Sequence, residues 1–129
     1  MQTEAVPDGL ADVPYDYAKV APPGPTLFTA GACPIDAGGR VVGKGDHRVQ
    51  THRAVDNLLA VLGEHGAGPE DLVRTTVYVV GAREDLVAVW EVVEGRLAPS
   101  RPPSTLLGVS VLGFEGQLVE IDGIAAMPA

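Results

Sequence analysis

The chain is poor in the features that would tie it to nucleic acid, to a bilayer or to an oxidising compartment. Cysteine occurs once, at Cys33, so no internal disulfide can form, which fits a reducing cytosol. Nine basic residues stand against seventeen acidic ones, giving a net charge of −8 with no Lys/Arg cluster. Such a field repels a phosphate backbone, so nucleic acid is not an expected partner. No apolar run approaches the ~20 residues that a membrane-spanning helix needs. The N-terminal MQTEAVPDGLADV lacks a basic segment followed by an apolar one, so no signal peptide is read. His47, His52 and His65 have no metal-ligand spacing and no cysteine pair to support them, so no metal is expected and the three read as solvated helix residues. Gly38-Gly39 and Gly43-x-Gly45 lack the strand-to-helix setting of a nucleotide loop and read as turns. A soluble, cytoplasmic protein is the expectation.

What is present is ordinary globular material. With 129 residues, 46 % hydrophobic and 20 % charged, the chain suits a single domain spanning 1–129 with a real core. Aromatics are only 5 %, and Val, Leu and Ala make up most of the apolar mass. The first twelve or so residues read as a loose arm. Thr26 to Ala30 follows a Pro/Gly cluster and reads as a short strand. The turn Asp36–Arg40 lets Val41-Val42 pair back on it.

Asp46 is a candidate N-cap for a helix running to about His65. Ala54, Val55, Leu58, Leu59, Val61 and Leu62 form its apolar stripe, and Gly63 and Gly66 mark its end. Leu72 to Val80 alternates like a strand. Glu84 to Leu97 repeats apolar residues at helical spacing until Pro99, Pro102 and Pro103 forbid its continuation. Leu106 to Val111 and Leu118 to Ala126 read as two further strands. Two helices can cover one face of such a mixed sheet. The surplus of Val and Leu leads us to expect the other face to be covered by further subunits.

One residue in the last strand stands out. Leu118, Glu120, Asp122 and Ile124 share a face by period two, opposite Val119, Ile121 and Gly123. A carboxylate inside an apolar run must meet water, a partner or a ligand, because desolvating it alone is costly. Glu120 is therefore the first candidate for chemistry, as a general base or water-orienting group. Its alternative is an ion pair with an arginine of a neighbouring subunit. Asp122 reads as a solvated group near the strand end.

Several motifs in order carry a resemblance. They are Leu27-Phe28-Thr29-Ala30-Gly31 with Pro34 close behind, Gln50-Thr51 leading to Asn57-Leu58, and Asp71 to Val79. Arg101-Pro102 and Leu118-Val119-Glu120-Ile121-Asp122-Gly123-Ile124-Ala125 complete the set. From Pro14-Tyr15 to Ala125 the chain resembles the RidA/YjgF (L-PSP) family of reactive-intermediate deaminases. The resemblance implies a chorismate-mutase-like α+β fold and a homotrimer with clefts at the subunit interfaces. It also implies cofactor-free hydrolysis of small enamines or imines such as 2-aminoacrylate. Carried across, it assigns Glu120 to orienting the attacking water, Gly31 to backbone donation and Tyr15 to the cleft.

One assignment fails to carry. The family pattern R-P-x-R grips the substrate carboxylate, but here it reads Arg101-Pro102-Pro103-Ser104. A hydroxyl replaces neither the charge nor the fork of a guanidinium, so the substrate is not expected to be a simple 2-aminoacrylate. Ser104 reads either as a donor to a neutral substrate or as a plain strand-start residue, and Tyr15 as a cleft cap or an anchor for the arm. Trp90 would make the cleft bulkier and more apolar, or else belongs to the core. Cys33, just past Gly31, is a candidate substrate contact whose bland alternative is an inert buried hydrophobe. A trimer that keeps its clefts but only binds a ligand, and a ribonuclease, are the rival functions.

Overall fold

The computed structural model describes residues 6–128, so the first residues of the expected N-terminal arm lie outside the described residues. The element order is β1 (Thr26–Phe28), α1 (His47–Glu64), β2 (Leu72–Val79), α2 (Arg83–Leu97), β3 (Ser104–Gly108) and β4 (Val119–Ala126). A short 3-10 turn at Pro69–Asp71 leads into β2. The four strands form one mixed sheet in the order β1-β4-β2-β3, with β2 and β3 parallel and the other pairs antiparallel. Parallel neighbours cannot be joined by a tight turn, and α2 supplies the crossover.

Local chemistry explains the boundaries. The Asp46 carboxylate accepts the Val49 N–H at 3.0 Å and starts α1, as its position before the apolar stripe suggests. The turn after Ile35 closes with Asp36 Oδ1 accepting from Gly38 and Arg40 N–H, and Ile35 bridges Val41. β3 begins at Ser104 and stops at Gly108, earlier at both ends than the expected Leu106 to Val111. Its length is set by its partner: β2 ends at Val79, and Val109 N–H makes the last bond to the Val79 carbonyl at 2.8 Å. The strands β3 and β4 do not pair, because β2 lies between them.

Both helices pack on one face of the sheet. Leu58 and Leu62 of α1 and Val89 and Val93 of α2 close over Val77, Val79, Val119 and Ile121, all essentially inaccessible to solvent. The expectation that the opposite face would be rich in Val and Leu is not met. Period two sends those residues inward, and the centre of the uncovered face carries Thr76, Tyr78, Glu120 and Asp122. Apolar groups lie toward its edges, notably Phe28, which is 71 % exposed.

Leu58 sits where helix and sheet meet, with 1 % of its surface exposed. Leu58→Ala should cost about 2–5 kcal/mol in a denaturant titration, whereas Val61→Ala on the exposed side of α1 should stay within about 0.5 kcal/mol.

Candidate functional site

Glu120 stands on β4 beside Tyr78 of β2 on the uncovered face, half-buried. Its Oε1 accepts two hydrogen bonds, from Gln117 Nε2 at 3.1 Å and from Cys33 Sγ at 3.3 Å. Oε2 accepts none among the described residues and lies against the backbone of Gly31. A Cβ on Gly31 would fall 2.0 Å from that oxygen, so the absence of a side chain there is a requirement of Glu120. The carboxylate is thus held by one oxygen and presents the other.

Helix α1 builds the surroundings. Asn57 Nδ2 donates to the carbonyls of Cys33 at 2.8 Å and Ile35 at 3.0 Å, and Arg53 Nε donates to Ile35 at 2.9 Å. Gln50 Nε2 donates to the Gly43 and Gly116 carbonyls, and its Oε1 accepts the Leu118 N–H at 2.8 Å. One helix face therefore pins both the segment carrying Gly31 and Cys33 and the segment leading to Glu120. Buried Gln117 completes the hold, its Nε2 also donating to the Val119 carbonyl and its Oε1 accepting the Phe114 N–H. These amides satisfy backbone groups that irregular segments would otherwise bury unpaired.

Burial first, and then the Glu120 carboxylate it donates to, push the Cys33 thiol up to about 11. A neutral thiol is a hydrogen-bond donor and a poor nucleophile, so Cys33 serves here as a donor to Glu120. Asp122 is not freely solvated, as expected from sequence, but accepts the Tyr78 hydroxyl at 2.7 Å. That bond is the main cause raising the tyrosine above its ordinary pKa.

The other candidates gather elsewhere. Tyr15, Trp90 and Ser104, with Pro14, Thr105 and Leu106, line a cavity of about 440 Å³ at the β3 edge. Tyr15 and Trp90 meet edge to face with ring centroids 6.0 Å apart. Arg101 holds the arm that carries Tyr15: its guanidinium donates to the Val13 carbonyl and pairs with Asp16 at 3.9 Å, while its own carbonyl accepts the Asp16 N–H at 2.9 Å. The Ser104 hydroxyl is engaged internally, donating to the Pro102 carbonyl at 2.9 Å and bonded to Thr75 Oγ1. Strand spacing and rise put Glu120 and Ser104 about 14 Å apart, with their side chains on opposite faces. A single protomer does not bring the two groups around one small molecule.

His47 also departs from expectation: it is half-buried, and its Nε2–H donates to the Val80 carbonyl at 2.7 Å. Among the described residues, no group of three or more His, Cys, Asp or Glu is arranged to hold a metal ion. Gln117 belongs to none of the motifs that carry the resemblance. A polar amide between Gly116 and the apolar start of β4 was its only local signal.

This fold and motif order have known counterparts. The sequence profile of the family described as "Endoribonuclease L-PSP" matches residues 10–127. The chain belongs to this family, also called RidA/YjgF. A RutC family protein of Pyrococcus abyssi is 34 % identical over 109 residues, covering 84 % of each chain. A second RutC family protein, from Synechocystis, is 36 % identical over 118 residues, covering 89 % of this chain and 87 % of that one. Among solved structures, the Rid family protein YyfB from Yersinia pestis superposes with a TM-score of 0.83 at 30 % identity, covering 93 % of this chain and 94 % of that one. In this RidA/YjgF chain the helix amides Gln50 and Asn57 are thus the supports of the Glu120 site.

Two outcomes follow. Alkylation of Cys33 by iodoacetamide requires the thiolate, so its rate should climb with pH toward a midpoint near about 11. Glu120→Gln should move that midpoint down toward 9.0, only part of the way because burial, the larger cause, remains. An unmoved midpoint would remove the carboxylate from the account. Gly31→Ala should displace the Glu120 side chain from its place against the backbone, visible in a crystal structure of the variant, while both oxygen-holding donors remain.

Proposed function

We propose that this protein is a homotrimeric, cytoplasmic, cofactor-independent hydrolase of a reactive imine or enamine, of the RidA type. The observation that carries the reading is the Glu120 carboxylate, with Oε1 fixed by Gln117 and Cys33 and Oε2, beside Gly31, accepting no hydrogen bond among the described residues. Such a group is pre-set to take a proton from water. In the proposed reaction Oε2 accepts one proton of a water whose oxygen adds to the C=N carbon, and the nitrogen takes up a proton. The nitrogen's proton is the one Oε2 took from water. The carbinolamine hydroxyl then gives its own proton, relayed by Oε2, to the amino nitrogen, and C=O forms as the C–N bond breaks and ammonia leaves. Backbone groups around Gly31 would face the developing charge.

The separation of Glu120 from the Tyr15–Trp90 cavity supports a cleft shared between protomers. In that assembly the Glu120 group of one subunit meets the β3 edge of the next. Ser104 offers no guanidinium, which supports a substrate other than simple 2-aminoacrylate. The same feature favours a second reading, a trimer of the same fold that binds a small ligand without turning it over. Ribonuclease activity, which the family description suggests, is disfavoured by the net charge of −8. Salt-dependent RNA binding would be its mark.

Glu120→Gln should stay folded with an unchanged melting temperature and lower the release of ammonia from accepted imines by about 10²-fold or more. A large fall in melting temperature would make Glu120 a structural group, and unchanged turnover would remove it from the mechanism. Turnover of 2-aminoacrylate should run roughly two orders of magnitude below that of an arginine-bearing relative, since a charge-assisted pair is missing. Light scattering at micromolar concentration should give three times the protomer mass.

A further inference from the structure

A second cavity, of about 360 Å³, opens between the loop before α1 and the loop before β4. It is lined by Gly39, Arg40, Val41, Lys44, Phe114 and Glu115. It shares no residue with the Glu120 group or with the Tyr15–Trp90 cavity. Backbone contacts hold its two sides in place. Asp36 Oδ1 accepts the Arg40 N–H at 3.0 Å, and the Arg40 carbonyl accepts the Asp36 N–H at 2.9 Å. Fully buried Gln50 donates to the carbonyls of Gly43 at 3.2 Å and Gly116 at 2.9 Å, tying the neighbour of Lys44 to the neighbour of Glu115. The Lys44 stem runs along Gly116, where a Cβ would come within 3.5 Å of its Cγ, Cδ and Cε.

The cations of this cavity lack partners in a chain that has seventeen acidic residues to offer. Of the nine basic residues, Lys19, Arg48, Arg53, Arg74, Arg96 and Arg101 are each bonded to a carbonyl, hydroxyl or carboxylate. Arg40, Lys44 and Arg83 have no side-chain partner among the described residues, and two of these three line this one cavity. Glu115 lines it too but forms no ion pair with either cation. Two cations against one carboxylate leave a surplus of one positive charge. The Phe114 ring, 42 % exposed, and Val41 supply an apolar wall beside it.

From these features we propose that the cavity binds a small monocarboxylate with an apolar body. The carboxylate lies between Arg40 and Lys44, and the body lies on Phe114 and Val41. A planar carboxylate matches the guanidinium fork and takes a further charge-assisted bond from the Lys44 ammonium. One negative charge cancels the surplus of one, whereas a dianion would turn its second charge toward Glu115. The proposal is independent of the hydrolase reading.

The test uses three probes: 3-phenylpropionate, its uncharged amide 3-phenylpropanamide, and the zwitterion phenylalanine. Each is titrated into the isotope-labelled full chain while backbone amide NMR shifts are followed. 3-Phenylpropionate should shift the amides of residues 39–44 and 114–116 saturably, and should bind about fivefold or more tightly than the amide probe. Raising the salt from about 20 mM to about 300 mM should erode that advantage, because exposed charges are screened. Arg40→Gln and Lys44→Gln should each weaken the carboxylate about fivefold and spare the amide, whereas Phe114→Ala should weaken both. Glu115→Gln should tighten the carboxylate about twofold. The four substituted side chains are exposed, so each variant should keep the wild-type melting temperature.

Equal affinities for 3-phenylpropionate and its amide would overturn the proposal, and so would the lack of a saturable shift with any probe. Shifts clustered around Glu120, or around Tyr15 and Trp90, in place of the two loops would also reject it. Tighter binding of phenylalanine would replace the monoanion by a zwitterion whose ammonium pairs with Glu115, and the proposed ligand class would fall.

Discussion

The alternation of β4 is the constraint on which the rest of the structure depends. It runs between β1 and β2 in the middle of the sheet, so both its backbone edges are paired and its side chains have only two directions to take. Val119, Ile121 and Ala125 go into the core, which fixes the register, and Glu120 and Asp122 are carried to the uncovered face. A slip of one residue would bury both carboxylates under the helices at a cost of several kcal/mol. The burial that stabilises the fold therefore also places the carboxylate.

Helix α1 converts that placement into a site. Gln50 and Asn57 reach past the core to the two irregular segments flanking β1 and β4, and bond carbonyl and N–H groups that have no strand partner. The segment with Gly31 and Cys33 then lies against Glu120 at contact distance. Cys33 is drawn into this arrangement as a neutral thiol, its proton kept by burial and by the neighbouring negative charge.

The division of polar and apolar features between two places gives the molecule its logic. One region holds a positioned carboxylate and little apolar surface. The other has the aromatic walls of Tyr15 and Trp90, with no charged residue among its lining. The two places lie on opposite faces of the sheet, about 14 Å apart by strand spacing and rise.

How much of this could be read in advance varies element by element. The α1 cap at Asp46, the end of α2 before its prolines, and the inward and outward faces of β4 were legible, because they follow from capping, ring geometry and period two. The family, and with it the α+β fold, was legible from motifs in order. The ends of β3 were not, since they depend on where β2 stops. Nor was the polar character of the uncovered face, since which residues a helix covers is settled by packing between distant segments. The roles of Gln117, His47 and Arg101 were equally hidden, because each bonds to backbone groups whose lack of partners exists only in the folded chain. The sequence by itself determined the elements, the family and the suspicion attached to Glu120. Only the tertiary structure decided that Gly31, Cys33 and Gln117 surround that carboxylate while Tyr15, Trp90 and Ser104 lie across the sheet. Contacts between residues far apart in the chain are set by strand order and helix packing, which local patterns do not encode.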